Sequence, residues 1–176
     1  MLLIGKDMKG DGFAAKFKRD DLVFTVPPTL VEQLTQELRR RLVWEIKRGD
    51  VSAMVWKSPA QKVAVRKEEG LWKLIEPSDG TLDSVQVSRI VDVVDYIRVS
   101  RFEDYTKKDL VRYGLNTPRV TLTLTVEDVD RTLSVGRDKD KDRVYAMVSD
   151  VDVVFTLSAS DVKTLLRVPL VAPEAK

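Results

Sequence analysis

The amino-acid sequence predicts an α+β fold made of repeated units, in which mainly antiparallel strands are closed by a helix. Short segments with alternating apolar and polar residues recur along the chain and indicate strands that bury one face. A stripe of apolar residues with helical spacing, from Val87 to Ile97, indicates an amphipathic helix among the strands. Four blocks near the start of the chain recur in the same order near its end, which indicates an internal repeat.

The repeat relates the beginning of the chain to its end. Ile4-Gly5-Lys6-Asp7 resembles Val135-Gly136-Arg137-Asp138, which lies 131 positions later, and the following matches keep this spacing to within one residue. These matches are Phe13-Ala14 with Tyr145-Ala146, Val23-Phe24-Thr25-Val26 with Val154-Phe155-Thr156-Leu157, and Val31 and Leu34 with Val162 and Leu165. We therefore expect residues 1–43 to form the C-terminal half of a first repeat unit, residues 44–170 to form a complete second unit, and residues 171–176 to be a tail.

The complete unit is predicted to open with three strands, a long amphipathic helix and a short polar helix. The strands are Val51–Trp56, Lys62–Arg66 and Leu71–Leu74. The long helix contains the apolar stripe, and Asp83 or Ser84 is expected to cap its first N–H groups. The short helix lies near residues 107–112 and ends at Gly114, a residue type that favours the end of a helix.

Four strands and a closing helix are predicted for the rest of the complete unit. Val120–Val126 is the clearest strand, because Val and Leu alternate with Thr along it. The other strands are centred on Leu133 and Val135, on Val144–Val148 and on Val153–Leu157. Ser158 or Ser160 then begins the closing helix. The corresponding helix of the first unit carries a capping box formed by Thr29 and Glu32.

The composition excludes several kinds of active site and reveals no reaction. The chain has 176 residues with no cysteine and no histidine, which excludes disulfides, thiol nucleophiles, imidazole bases and the usual zinc sites. Its formal net charge of +2 lacks the basic excess of a nucleic-acid-binding protein, so no nucleic-acid partner is expected. The sequence contains no apolar run long enough to span a membrane. No cofactor is indicated, and the cysteine content fits both a cytoplasm and a bacterial envelope.

Two charged clusters are candidate binding sites, and both are better interpreted as solvent-exposed structure. Asp138–Asp142 has alternating aspartates like the start of a calcium loop, but the intervening lysines neutralise them, and the glycine and glutamate of a complete EF-hand loop are missing. We therefore predict a hairpin turn there and no metal site. Arg39-Arg40-Arg41, with Lys47 and Arg48, could contact anionic lipid headgroups, but cations near a helix C-terminus are expected on the solvent face.

The aromatic and acidic candidates also have structural interpretations. Trp44, Trp56 and Trp72 could stack on bases or sugars, but such large rings are expected in the core, and we predict core packing for Trp56 and Trp72. Glu68-Glu69 and Glu103-Asp104 are adjacent carboxylates whose side chains should diverge, so neither pair is expected to perform acid–base catalysis. The sequence therefore predicts no catalytic, cofactor-binding or metal-binding residue.

An ordered set of motifs resembles the bacterial family called domain of unknown function 4340. The motifs are Gly70-Leu71-Trp72-Lys73-Leu74-Ile75-Glu76-Pro77, Tyr113-Gly114-Leu115-Asn116-Thr117-Pro118, Val120–Val126, Leu133-Ser134-Val135-Gly136-Arg137, Val144-Tyr145-Ala146 and Val154-Phe155-Thr156-Leu157. The resemblance covers about residues 50–170 as a full unit and residues 1–43 as a partial one. It implies an α+β fold, often in tandem and often behind an N-terminal membrane anchor. Because no catalytic or ligand-binding residue is established for the family, it implies none here.

The resemblance also implies a setting, because such domains often accompany gliding-associated ABC transporters. We therefore expect a non-catalytic interaction or scaffold module of a bacterial cell-envelope protein, excised from a longer chain whose anchor lies elsewhere. Its expected location is the periplasmic or extracytoplasmic side, with the cytoplasm left open. Expected partners are proteins, including membrane transport components, and an open sheet edge offers a route to self-association. The alternative is an enzyme that acts through carboxylate and arginine residues on a phosphorylated or glycan substrate.

Overall fold

The computed structural model describes residues 2–8, 12–35 and 43–171 of the chain. The chain forms two compact units: residues 1–40, called here the small unit, and residues 41–176, called the large unit. Each unit contains an antiparallel sheet and at least one helix. The predicted α+β class with mainly antiparallel strands is therefore confirmed.

The small unit is a three-stranded sheet followed by a helix. Its elements are β1 (Leu2–Asp7), β2 (Phe13–Phe17), β3 (Val23–Val26) and α1 (Pro28–Thr35), and the strands lie in the order β1-β2-β3. The N–H of Leu30 donates to the carbonyl of Pro27 at 3.0 Å, and Pro28 occupies the first helical position, where its missing N–H costs nothing. The capping box predicted at Thr29 is wrong, because Thr29 already lies inside the first turn.

The large unit is built on one eight-stranded sheet. Its elements are β4 (Val51–Lys57), β5 (Lys62–Glu68), β6 (Leu71–Glu76), α2 (Ser84–Asp95), β7 (Arg101–Asp104), α3 (Leu110–Tyr113), β8 (Val120–Val126), β9 (Val129–Asp138), β10 (Arg143–Val148), β11 (Val154–Ser158) and α4 (Ala159–Leu166). A single 3-10 turn, Arg48–Asp50, precedes β4. The strands lie in the order β6-β5-β4-β8-β9-β10-β11-β7, and each strand is antiparallel to its neighbours.

The core of the large unit lies between one face of this sheet and the helices α2 and α4. Every second residue of β8 is buried, as its alternation of apolar residues and threonines predicts, and these residues join the apolar stripe of α2 in one cluster. Full burial of each such aliphatic side chain is worth about 1.5–3 kcal/mol. Gln86 is buried among them, and its amide nitrogen donates to the carbonyls of Thr164 at 2.7 Å and Arg167 at 3.3 Å. It therefore ties α2 to the C-terminal end of α4.

Two features of the sheet were not predicted from the sequence pattern. β7 is a short edge strand that pairs with β11 and buries Phe102, although three of its four residues are charged. The β8–β9 hairpin is longer than predicted, since Val126 pairs with Val129. Its two-residue turn consists of Glu127 and Asp128 with φ of 50° and 62°, the backbone of the tight turn that matches the twist of paired strands.

Strand register relates the small unit to residues 133–166 of the large unit. Ile4 pairs with Ala15 in the small unit, and Val135 pairs with Ala146 in the large unit. Each residue of the second pair lies 131 positions after the matching residue of the first pair. The same spacing holds for every residue pair between β1 and β2 and between β2 and β3, and for the register shift within the first strand pair. It also holds for both ends of the following helix, α1 or α4. We call residues related by this spacing counterparts.

Register also corrects one detail of the predicted repeat. Side-chain similarity matches Phe13-Ala14 with Tyr145-Ala146, which requires a drift of one residue. Backbone pairing instead makes Phe13 the counterpart of Val144 and Ala14 the counterpart of Tyr145. The drift is therefore wrong, because a shift of one residue would place each side chain on the opposite face of the sheet from its counterpart.

Candidate functional site

A cleft of about 440 Å³ lies on the large unit, beside the β5–β6 hairpin and α2. Its lining residues are Arg48, Lys67, Gly70, Leu71, Trp72, Ser84 and Ser88. The Nη1 atom of Arg48 donates to Asp92 Oδ1 at 3.0 Å, and both side chains are more than half exposed, so solvent weakens the pair. Two cations, two hydroxyls and an indole offer contacts to an anionic or hydroxyl-rich ligand. None of the described lining residues is a carboxylate, and Asp92 is connected to the cleft through its ion pair with Arg48.

The tryptophans do not form one stacking surface. Trp56 is buried, as predicted, and its Nε1 donates to the carbonyl of Leu165 at 2.8 Å. Trp44 is buried as well, and its Nε1 donates to Asp150 Oδ1 at 2.9 Å. Trp72 packs against the core but stays partly exposed and lines the cleft. Of the three tryptophans, only Trp72 therefore presents its ring to a ligand in the cleft.

The loop Asp138–Asp142 is the turn of the β9–β10 hairpin. Asp138 accepts from Arg119 at 2.7 Å, and Asp140 accepts from Arg143 at 2.6 Å, while Lys139 contacts Glu103. The hydrogen bond from Arg143, aided by the N–H of Asp142, holds the pKa of Asp140 below its ordinary value. Each of these carboxylates already has a cationic neighbour. Within residues 2–8, 12–35 and 43–171, no three acidic side chains converge as metal ligands.

In the two pairs of adjacent carboxylates, Glu68, Glu103 and Asp104 each have a partner of their own. Glu68 forms an ion pair with Lys73 at 2.7 Å, and this hydrogen bond lowers the pKa of Glu68. Asp104 accepts from the hydroxyl and the N–H of Thr106 at 2.7 and 2.8 Å, which lowers the pKa of Asp104, whereas its neighbour Glu103 contacts Lys139. The basic cluster is described only in part: Arg39-Arg40-Arg41 lies outside the described residues, while Lys47 and Arg48 are exposed.

A contact between the segment after α3 and the sheet was missed by the sequence reasoning. Tyr113-Gly114-Leu115, called here the Tyr-Gly-Leu segment, packs on the face of the sheet opposite the main core. Gly114 ends α3 in the left-handed conformation, with φ of 67°, and its N–H donates to the carbonyl of Val111. A Cβ on Gly136 would lie 2.3 Å from the carbonyl oxygen of Tyr113. Both glycines are visible in the sequence, but only the fold brings them together.

Burial also changes the chemistry of Tyr113. Its hydroxyl lies 3.4 Å from Asp104 Oδ2, to which it donates, and its ring meets that of Tyr145 edge-on at 5.0 Å. Desolvation, followed by the charge of Asp104, raises the pKa of the Tyr113 hydroxyl. Tyr113 is thus a neutral donor at physiological pH and not a base.

The small unit carries a separate apolar hollow of about 270 Å³. Its lining residues are Leu3, Ile4, Gly5, Ala14, Ala15, Lys16 and Val23. Leu3, Ile4 and Val23 are exposed, Val23 by 62%. Lys16 is the one charged residue in this lining, so the hollow suits a largely apolar ligand rather than an ionic reaction.

None of the helices in the described part of the chain combines the length and apolar character required to cross a bilayer. Comparison with curated proteins and with solved structures gives no match. A family model described as "Domain of unknown function (DUF4340)" matches residues 72–169, which run from β6 through α4. This span is more than half of the chain and includes the Tyr-Gly-Leu segment and Gly136. The chain therefore belongs to the DUF4340 family.

Proposed function

We propose that this chain is a non-catalytic interaction or scaffold module of a bacterial cell-envelope protein, working with an ABC-type transport system. The observation that carries the proposal is the sheet of the small unit. Within the described residues, β1 and β3 each pair only with β2, so both edges of the sheet are open. Leu3, Ile4, Phe17 and Val23 are exposed on it. Open edges and exposed apolar side chains favour pairing with another polypeptide.

The extracytoplasmic location and the transport partner are parts of the proposal that come from the family resemblance. Crosslinking in cells of the source bacterium tests both. A photo-reactive phenylalanine analogue replaces Phe17, which is 51% exposed, and in a matched control it replaces Lys141 on the exposed β9–β10 turn. We expect crosslinks to a membrane transport component from position 17 only, and digestion of the protein when protease is added to spheroplasts. Equal crosslinking from both positions, or full protection from protease, would contradict the proposal.

The cleft of the large unit supports a second function: an enzyme that uses carboxylate and arginine residues on a phosphorylated or glycan substrate. The specific observation is that Arg48, paired with Asp92, opens onto a cleft with Lys67, Trp72 and two serines. Thermal stability measured with glucose 6-phosphate, with glucose and with inorganic phosphate tests ligand binding. Stabilisation that is lost in Arg48→Ala but kept in Arg66→Ala, which does not line the cleft, would support this function. No stabilisation by any of the three ligands would remove its basis.

A further inference from the structure

The large unit contains an occupied site whose counterpart in the small unit is open. In the large unit, Tyr113 and Leu115 are buried with Val154 against Tyr145 and Met147. The backbone of the Tyr-Gly-Leu segment lies so close to β9 that position 136 accepts only glycine. A Cβ there would meet the Tyr113 carbonyl oxygen at 2.3 Å and the Leu115 side chain at 3.1 Å. The glycine is thus required by the segment that packs on it.

Gly5 is the counterpart of Gly136 but has no such neighbour among residues 2–8, 12–35 and 43–171. In the part of the chain that the structure describes, a Cβ on Gly5 would meet the carbonyl oxygen and the Cβ of Ala14, at the ordinary distances of 3.4 and 3.8 Å. Glycine within a strand costs about 0.5–1 kcal/mol relative to alanine and often marks a place where another backbone approaches closely. No described residue of the small unit makes this glycine necessary.

The remaining counterparts of that site line the apolar hollow. Tyr145, Met147 and Val154 correspond to Ala14, Lys16 and Val23, and all three of these residues line the hollow together with Gly5. Ala14 is much smaller than Tyr145, so its side chain leaves open the volume that the tyrosine ring fills in the large unit. The hollow therefore has room for an aromatic side chain of a ligand.

The adjacent strand edge is also open. In the large unit, β8 pairs with β9 along its whole length, from Val120 with Val135 to Val126 with Val129. β1 is the counterpart of the C-terminal half of β9 and, among the described residues, pairs with β2 alone. Its outward N–H and C=O groups are available to a further strand.

From these counterparts we propose that the hollow and the free edge of β1 together bind a peptide segment with the chemistry of residues 110–126. The ligand class is a turn carrying an aromatic residue, glycine and leucine, followed by an apolar strand. The turn packs over Gly5 and Ala14, and the strand adds to β1 as β8 adds to β9. This inference rests on the proposed interaction function, and it names the surface and the kind of partner.

The probe is a labelled synthetic peptide with the sequence of residues 107–128, whose charged ends keep the apolar strand soluble. It is titrated with the full chain, and binding is followed by fluorescence anisotropy. We expect saturable binding that Gly5→Val weakens by about tenfold or more, because the added side chain occupies the space of the approaching backbone. Gly49→Val is the matched control, because a Cβ at Gly49 meets nothing within 4 Å. Hydrogen exchange of residues 2–5 should slow when the peptide binds.

Val23→Asp provides a second variant in case Gly5→Val disturbs folding, since Val23 is exposed and its substitution leaves the core intact. It should weaken binding while far-UV circular dichroism stays unchanged. The inference would be overturned if the peptide did not bind, if Val23→Asp bound it as well as the unmodified chain does, or if hydrogen exchange slowed at β6 and not at β1. It would also be overturned if the chain formed a dimer that Val23→Asp dissociates, because the hollow would then be occupied by a second copy of the chain. If peptide binding fails while crosslinks from position 17 persist, this inference fails and the proposed function stands.

Discussion

Gly136 and Tyr113 meet backbone to backbone: a Cβ at position 136 would lie 2.3 Å from the carbonyl oxygen of Tyr113. This approach lets Tyr113 and Leu115 cover the face of the sheet that the main core leaves open. The matched family region contains both residues of the contact. The presence of glycine at position 136 is therefore explained by close packing.

Replacing Gly136 with alanine is expected to destabilise the large unit by about 1–3 kcal/mol, as overpacking of a close contact does. The obstructing atoms are backbone, so they cannot move aside as a flexible side chain would. Trp44, Trp56 and Trp72 all lie in the large unit, so urea unfolding followed by tryptophan fluorescence reports on it. Gly49→Ala is the control and should leave the urea midpoint nearly unchanged. Equal midpoints for the two variants would refute the contact.

Gly114→Ala tests the other side of the same contact. Its φ of 67° costs a residue with a side chain about 1–2 kcal/mol, and the added Cβ would also lie 3.0 Å from the backbone nitrogen of Arg137. Gly70 is a matched control, because its φ is 81° but nothing lies within 4 Å of a Cβ there. We expect Gly114→Ala to lower the free energy of unfolding more than Gly70→Ala does. A larger effect at Gly70 would show that backbone strain alone, and not the contact, governs these positions.

The sequence predicted those elements whose periodicity is strong and local. The alternation in Val120–Val126 and the apolar stripe of α2 identify their elements without any tertiary information, and Asp83 caps α2 through a hydrogen bond from the N–H of Gln86, at 2.9 Å. β7 could not be found in this way, because Arg101–Asp104 is mostly charged and becomes a strand only by pairing with β11. Tertiary pairing here overrides local propensity.

The candidate site was less accessible to sequence reasoning than the fold was. The repeat matches Gly5 with Gly136, but the two glycines have different surroundings because the Tyr-Gly-Leu segment packs on Gly136. That segment lies more than twenty residues before Gly136 in the sequence, so local patterns do not reveal the contact. The alternation of apolar and polar residues predicts which face of a strand is buried, but it does not predict which partner buries the opposite face. The hollow in the small unit could therefore be interpreted as a peptide-binding site only by comparing counterparts.

Calcium is not expected to bind stoichiometrically at Asp138–Asp142. Asp138 and Asp140 are already paired with Arg119 and Arg143, and a cation would have to displace these guanidinium groups. Calorimetric titration of the chain with calcium chloride should therefore give only heats of dilution, with magnesium chloride as a second test. Micromolar calcium affinity that disappears in Asp140→Ala would contradict this prediction.

The titration of Asp104 provides a test at acidic pH. The hydrogen bond from the Thr106 hydroxyl is the largest cause of the lowered pKa of Asp104, and the bond from Tyr113 is a smaller one. A carboxyl whose pKa is lower in the folded chain than in the unfolded chain stabilises the fold at pH values above its ordinary pKa of 3.8. This contribution is lost as the pH falls through the folded pKa.

We expect Thr106→Val to raise the pKa of Asp104 toward 3.8, and Tyr113→Phe to raise it less. Side-chain carbon shifts followed by NMR between pH 6 and about pH 2 measure both changes. A larger rise in Tyr113→Phe than in Thr106→Val would show that the tyrosine, and not the Thr106 turn, holds this carboxylate in its charged form.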